Sequence, residues 1–142
     1  MLVPHFTAFR ALVDGIDGVP RTEPVARVTE SGDPVRANYI ITYPPKIPGL
    51  NDDRWTARQR FSSKARLRFD VRPVATDPDS VLLFTDRILS AVIGTRLVVP
   101  GRVCDPLTLV EGVEEGKTQY DRTARLYYVD FTVETVSREA AS

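Results

Sequence analysis

The stretch at 65–75, Ala-Arg-Leu-Arg-Phe-Asp-Val-Arg-Pro-Val-Ala, constrains the fold more than any other part of the chain. Leu67, Phe69 and Val71 alternate with Arg66, Arg68, Asp70 and Arg72. Neighbouring side chains of a strand point to opposite faces, so this pattern makes a strand with one apolar and one charged face. A slip of one residue would push the charges into the core, which fixes the register. The stretch 124–136 repeats the pattern, with Tyr127, Val129, Phe131 and Val133 set against Tyr128, Asp130, Thr132 and Glu134. Two such strands require something apolar to cover one side of a sheet.

The residues at 81–93, Val-Leu-Leu-Phe-Thr-Asp-Arg-Ile-Leu-Ser-Ala-Val-Ile, supply that cover. Val81, Phe84, Ile88 and Val92 form one helical stripe, and Leu82, Leu89 and Ile93 widen it beyond half the circumference. A helix this apolar is expected to pack on the sheet and to meet a second surface as well. Asp79 or Ser80 in Asp77-Pro78-Asp79-Ser80 is expected to cap its start, and Gly94 to close its end. A shorter helix is expected at 4–14, where Phe6, Phe9, Leu12 and Val13 share a side and Pro4 suits the first turn. Strands are expected at 25–30 and 37–43 around the turn Ser31-Gly32-Asp33-Pro34. Further strand pieces fall at 96–99 and 102–110, interrupted at Pro100-Gly101 and again at Asp105-Pro106. Residues 111–118 read as an exposed loop and 137–142 as a frayed tail.

Strand runs joined by loops, with two helices, predict an α+β fold. The sheet should be mixed and mainly antiparallel, with both helices on one face and a long loop between the second and third strands. The chain has 142 residues, a length suited to one domain over 1–142.

Composition narrows the chemistry. Lys+Arg and Asp+Glu number 19 each, so no global charge draws the chain to nucleic acid or an anionic membrane. No apolar run reaches the ~20 residues of a membrane span, and the N-terminus lacks signal-peptide features; the cytoplasm is the expected site of synthesis. The single cysteine, Cys104, rules out an intrachain disulfide. His5 is the only histidine, which leaves zinc sites and Ser-His-Asp triads poorly supplied. Cys104 beside Arg102 reads as a semi-buried strand thiol, because a thiolate nucleophile normally needs a base and a general acid. Asp77 and Asp79 read as helix-cap residues, and Glu111, Glu114 and Glu115 as a solvated loop, since hard cations need converging oxygens. No phosphate-binding loop or nucleophile elbow is present. No catalytic residue, metal or cofactor is expected, and the chain is not read as an enzyme.

The local feature that stands out is the irregular segment at 44–63 and its continuation. Arg54, Arg58, Arg60, Lys64, Arg66, Arg68 and Arg72 concentrate cations in a neutral chain, with Trp55 and Phe61 between them. Long loops in small domains are usually functional or disordered. Rings among cations suit single-stranded nucleic acid, while Arg and Trp are also favoured anchors of protein interfaces.

The order of features resembles the tail terminator (tail completion) proteins of long-tailed phages. The resemblance rests on the N-terminal helix, Tyr-Ile-Ile-Thr-Tyr-Pro-Pro at 39–45 and the 65–75 strand. The 79–94 helix, Val-Pro-Gly-Arg-Val at 99–103 and Leu-Tyr-Tyr-Val-Asp-Phe-Thr-Val at 126–133 complete it. It implies a virion protein at the head–tail junction, assembled as a hexameric ring. The ring would cap the tail tube, end tube polymerisation and meet the head-completion (stopper) protein. DNA would pass through its channel with transient, non-specific contact. Other head–tail connectors and minor tail proteins share parts of the pattern. On this reading Trp55, Arg58, Arg60 and Phe61, with Arg54 and Lys64, carry subunit or neck contacts. Asp52, Asp53, Glu114 and Glu115 would be the counter-charges.

Overall fold

The computed structural model describes residues 2–23, 29–47, 64–110 and 117–140. Helix α1 spans Leu2–Asp14, and a two-residue strand β1 follows at Thr22–Glu23. Strand β2 is Tyr39–Thr42 and β3 is Lys64–Ala75. Helix α2 is Pro78–Val92. Strands β4 (Arg102–Cys104), β5 (Thr108–Val110), β6 (Thr118–Asp121), β7 (Leu126–Val129) and β8 (Phe131–Glu139) complete the chain.

The strand expected to dominate does so. β3 is central, pairing antiparallel with β2 on one side and with β7 and β8 on the other. β1 adds to β2 in parallel, while β6 pairs β7 and β4 and β5 pair β8, all three antiparallel. The sheet of the described residues is therefore mixed and mainly antiparallel. Its apolar face packs on both helices: Leu67, Phe69, Val71, Phe131 and Val133 meet Phe9 and Val13 of α1 and Val81, Phe84, Ile88 and Val92 of α2. Phe9 stacks on Phe69 with ring centroids 4.4 Å apart. Each fully buried side chain of this size contributes about 1.5–3 kcal/mol by leaving water. The other face carries a smaller apolar cluster of Tyr39, Ile41, Val74 and Leu126 at one end.

Several local expectations are corrected. The stretch 124–136 is two strands broken at Asp130. Both run along β3 in one register, since Val71 faces Phe131 and Val74 faces Tyr128. The gap falls opposite Arg72 and Pro73, and proline has no N–H to give a ladder. Residues 137–139 belong to β8, and Ser137 is fully buried. Residues 96–99 form no strand, although Leu97 and Val99 are buried. Of the strand expected at 25–30, 25–28 lie outside the described residues. Thr29 and Glu30 belong to a turn in which Gly32 N–H donates to Thr29 O at 2.9 Å. Pro44 and Pro45 end β2 but not its course beside β3, because Lys46 exchanges two 2.9 Å backbone hydrogen bonds with Arg68.

Helix α2 starts a turn earlier than its apolar stripe. Asp77 is the N-cap, in place of Asp79 or Ser80, and accepts from Ser80 N at 2.8 Å and from Ser80 Oγ at 2.8 Å. Pro78 follows at the first helical position, where its missing N–H is no loss. These hydrogen bonds hold the Asp77 carboxyl below its ordinary pKa. A lowered folded-state value means that the stabilisation is complete above the ordinary carboxylate range and is lost as pH falls through the lowered value. Asp77→Asn keeps the capping oxygen. It should leave thermal stability near pH 7 almost unchanged and flatten the acid limb of a Tm-versus-pH curve.

Gly18 joins the helices. Its φ is +79°, its carbonyl accepts from Arg87 Nη1 at 2.7 Å, and a β-carbon there would run into the Arg87 guanidinium. Only glycine meets both conditions without strain.

Candidate functional site

The even-numbered side chains of β3 and β8 project from the face opposite the helices. They form a charge ladder. Lys46 Nζ lies 2.7 Å from Asp70 Oδ2, and Thr132 Oγ1 donates to Asp70 Oδ1 at 2.6 Å. Glu134 takes Arg66 at 3.3 Å on one oxygen and Arg68 at 2.8 Å on the other. Arg72 grips Asp130 with two hydrogen bonds of 2.7 and 3.0 Å, while its guanidinium sits 4.3 Å from the Tyr128 ring centre. The hydrogen bonds to Asp130 outweigh burial and raise the Arg72 pKa further, so the guanidinium stays charged. Arg138 reaches Asp105 at 3.0 Å.

Cross-strand register explains these pairs. Arg68 faces Glu134 directly and Asp70 faces Thr132, so alternation in two strands is enough to build the ladder. Tyr43, Lys46, Asp70, Arg72, Asp130 and Thr132 line an open depression on this face. Its ionised groups are engaged with one another, Lys46 with Asp70 and Arg72 with Asp130. Ordinary acid–base or metal chemistry would have to break those pairs first. Among the described residues, no group of three or more His, Cys, Asp or Glu converges as a metal site. No helix of the described residues is long and apolar enough to cross a membrane.

A second polar cluster lies on the helix side of the sheet. His5 Nε2 is 2.7 Å from Ser137 Oγ, and Arg102 donates to the same hydroxyl at 2.9 Å and to the Ser137 carbonyl at 2.9 Å. Cys104 faces Ser137 across the β4–β8 pair. The histidine and cysteine that the sequence kept apart are thus neighbours of one serine. His5 and Ser137 have no exposed surface and Cys104 has 2%, so the group ties α1 to the end of the sheet. Burial pushes the Cys104 thiol above its ordinary pKa, despite the Ser137 hydroxyl and the nearby Arg102 cation. A buried, protonated thiol is inert. Native protein should therefore react with an aromatic disulfide reagent at pH 8 far more slowly than denatured protein. Equal rates in the two states would contradict this placement.

Of the residues expected at the site, Lys64 is described: it opens β3, exposed, opposite Arg138. Asp52, Asp53, Arg54, Trp55, Arg58, Arg60, Phe61, Glu114 and Glu115 lie outside the described residues. Arg66, Arg68 and Arg72 do share one face, but each is partnered by a carboxylate. Sequence reasoning missed Ser137 and Arg138. The signal was present, because 137 continues the buried 131-133-135 alternation and 138 the exposed one.

No protein-family model matches the chain, and no curated protein matches its sequence. The fold does have a counterpart among solved structures. A chain from the virion of a native gene transfer agent particle matches with a TM-score of 0.58, covering 92% of this chain and 84% of that chain. The two are 13% identical; what they share is the α+β fold.

Proposed function

We propose that this chain is a structural virion protein of the tail-terminator type. It forms a ring, hexameric in our reading, that caps the tail tube, ends tube polymerisation and joins the tail to the head-completion protein. The channel of the ring passes DNA. The observation that carries the reading is the likeness, over 92% of the chain, to a chain of a gene transfer agent virion. In this role the protein is not an enzyme, needs no cofactor or metal, and resides in the virion at the head–tail junction after assembly in the host cytoplasm.

A closed ring buries one surface of each subunit against a different surface of the next. α2 offers one of the two: Leu82 and Leu83 on the helix and Ile93 just past its end are 47%, 44% and 40% exposed. Trp55, Arg54, Arg58, Arg60, Phe61 and Lys64, with Glu114 and Glu115, are proposed to supply subunit or neck contacts. The test is Trp55→Ala, read by thermal melting and by assembly with the tube protein. The variant should melt as a folded domain and lose at least about tenfold in assembly, the order expected when an interface anchor worth 1.4 kcal/mol or more is truncated. Global unfolding would mean that Trp55 belongs to the core, and unimpaired assembly would mean that it carries no contact.

A further inference from the structure

The charge ladder is not evenly balanced. In its upper half, Lys46 answers Asp70 and Arg72 answers Asp130. In its lower half Lys64, Arg66, Arg68 and Arg138 face two carboxylates, Glu134 and Asp105. The excess of positive charge therefore collects at one end of one face. The heights differ too. The Arg66, Arg68 and Arg138 side chains are 58%, 34% and 46% exposed, while that of Glu134 is 18% exposed. Arg66 and Arg68 stand above the carboxylate that they share, while Arg138 and its partner Asp105, 39% exposed, stand at similar heights.

Lys64 sharpens the point. It has no ion-pair partner among the described residues, and its direct cross-strand neighbour is another cation, Arg138. Like charges directly opposite on a sheet destabilise it. An external anion lying between them would remove that cost.

We propose that this lane of Lys64, Arg66, Arg68 and Arg138 is a contact site for the sugar–phosphate backbone of double-stranded DNA. Alternate residues of a strand place Lys64, Arg66 and Arg68 about 6–7 Å apart. Successive phosphates of one DNA strand rise ~3.4 Å along the helix axis and, because the backbone winds around that axis, lie about 7 Å apart in space, so the lane matches consecutive phosphates. Guanidinium forks suit phosphate oxygens. A stable protein interface would instead need a large anchor at its centre. Among the described residues of this stretch the apolar side chains are only Val103 and Val136. Among the described residues no aromatic ring lies within the lane to stack a base, so the contact these residues make is with the backbone and independent of sequence. The site deepens the reading of a virion subunit through which DNA passes, and its test does not depend on ring formation.

The experiment is fluorescence anisotropy of a short random-sequence duplex with the full chain across a salt series. The wild type should bind weakly, with affinity falling steeply as salt rises. Lys64→Gln breaks no ion pair seen here and should reduce the slope of log affinity against log salt by about 0.9; Lys64→Gln with Arg66→Gln should reduce it by roughly 1.8. Arg21→Gln with Arg122→Gln changes the net charge equally, away from the lane, and should leave the slope near wild type. Absence of duplex binding at low salt, or equal slopes for lane and control variants, would overturn the proposal. So would tighter binding of poly-glutamate than of the duplex, which would point to an acidic protein partner. Any of these results leaves the ring reading to be judged on assembly mass alone.

Discussion

Phe69→Ala is expected to lower the unfolding free energy by about 3–5 kcal/mol, the range for truncating a buried phenylalanine. Phe69 lies on the central strand with no exposed surface, and its ring stacks on Phe9 at 4.4 Å with 21° between the planes. The substitution removes apolar burial, opens a void and loosens α1 from the sheet in one step. Against the ~5–15 kcal/mol that stabilises a typical domain, such a loss consumes about a fifth or more. Denaturant unfolding should show a lower midpoint with an unchanged slope. Phe9→Ala should cost a similar amount, and the double variant less than the sum, because both truncations delete the same stacked contact. A loss below about 1 kcal/mol for Phe69→Ala would mean that the helices do not pack on this face as described.

Ser137→Ala should be the most damaging change of a small polar residue. One hydroxyl serves both His5 and Arg102. Removing it takes this partner from the fully buried His5 nitrogen, at about 1–3 kcal/mol. Arg102 keeps its bond to the Ser137 carbonyl, which limits the loss. Ser137→Thr retains the hydroxyl and should recover most of the stability. Equal unfolding midpoints for Ser137→Ala and the wild type would show that the α1–β8 junction is held by packing alone.

What the sequence revealed follows the strength of its periodic signals. β3 and α2 were legible because alternation and the helical stripe each run for ten residues or more, and the mixed, mainly antiparallel α+β fold follows from them. β6 was not legible. Thr118-Gln119-Tyr120-Asp121 has no apolar alternation, and its pairing with β7 depends on a turn in which Asp121 accepts from Thr123 N and Ala124 N. The break at Asp130 was hidden because its cause, Pro73, sits on the neighbouring strand. Ser137 and Arg138 were lost by equating the end of the chain with fraying, although the alternation passes straight through them. The ladder's residues could be read one by one from β3, but their partners could not, since pairing needs the register between strands 58 to 66 positions apart. The contact residues proposed around Trp55 rest on composition and resemblance.

The ring is most directly tested by the mass and image of the assembled particle. Purified chain, alone and mixed with its tube and head-completion partners, should yield a closed ring of about six times the 15.9 kDa subunit mass, seated at the end of the tail tube. Averaged images should show subunits related by rotation around an open channel. A chain that remains a 15.9 kDa monomer in every mixture, with tubes that lengthen unchecked in its presence, would contradict the proposed function.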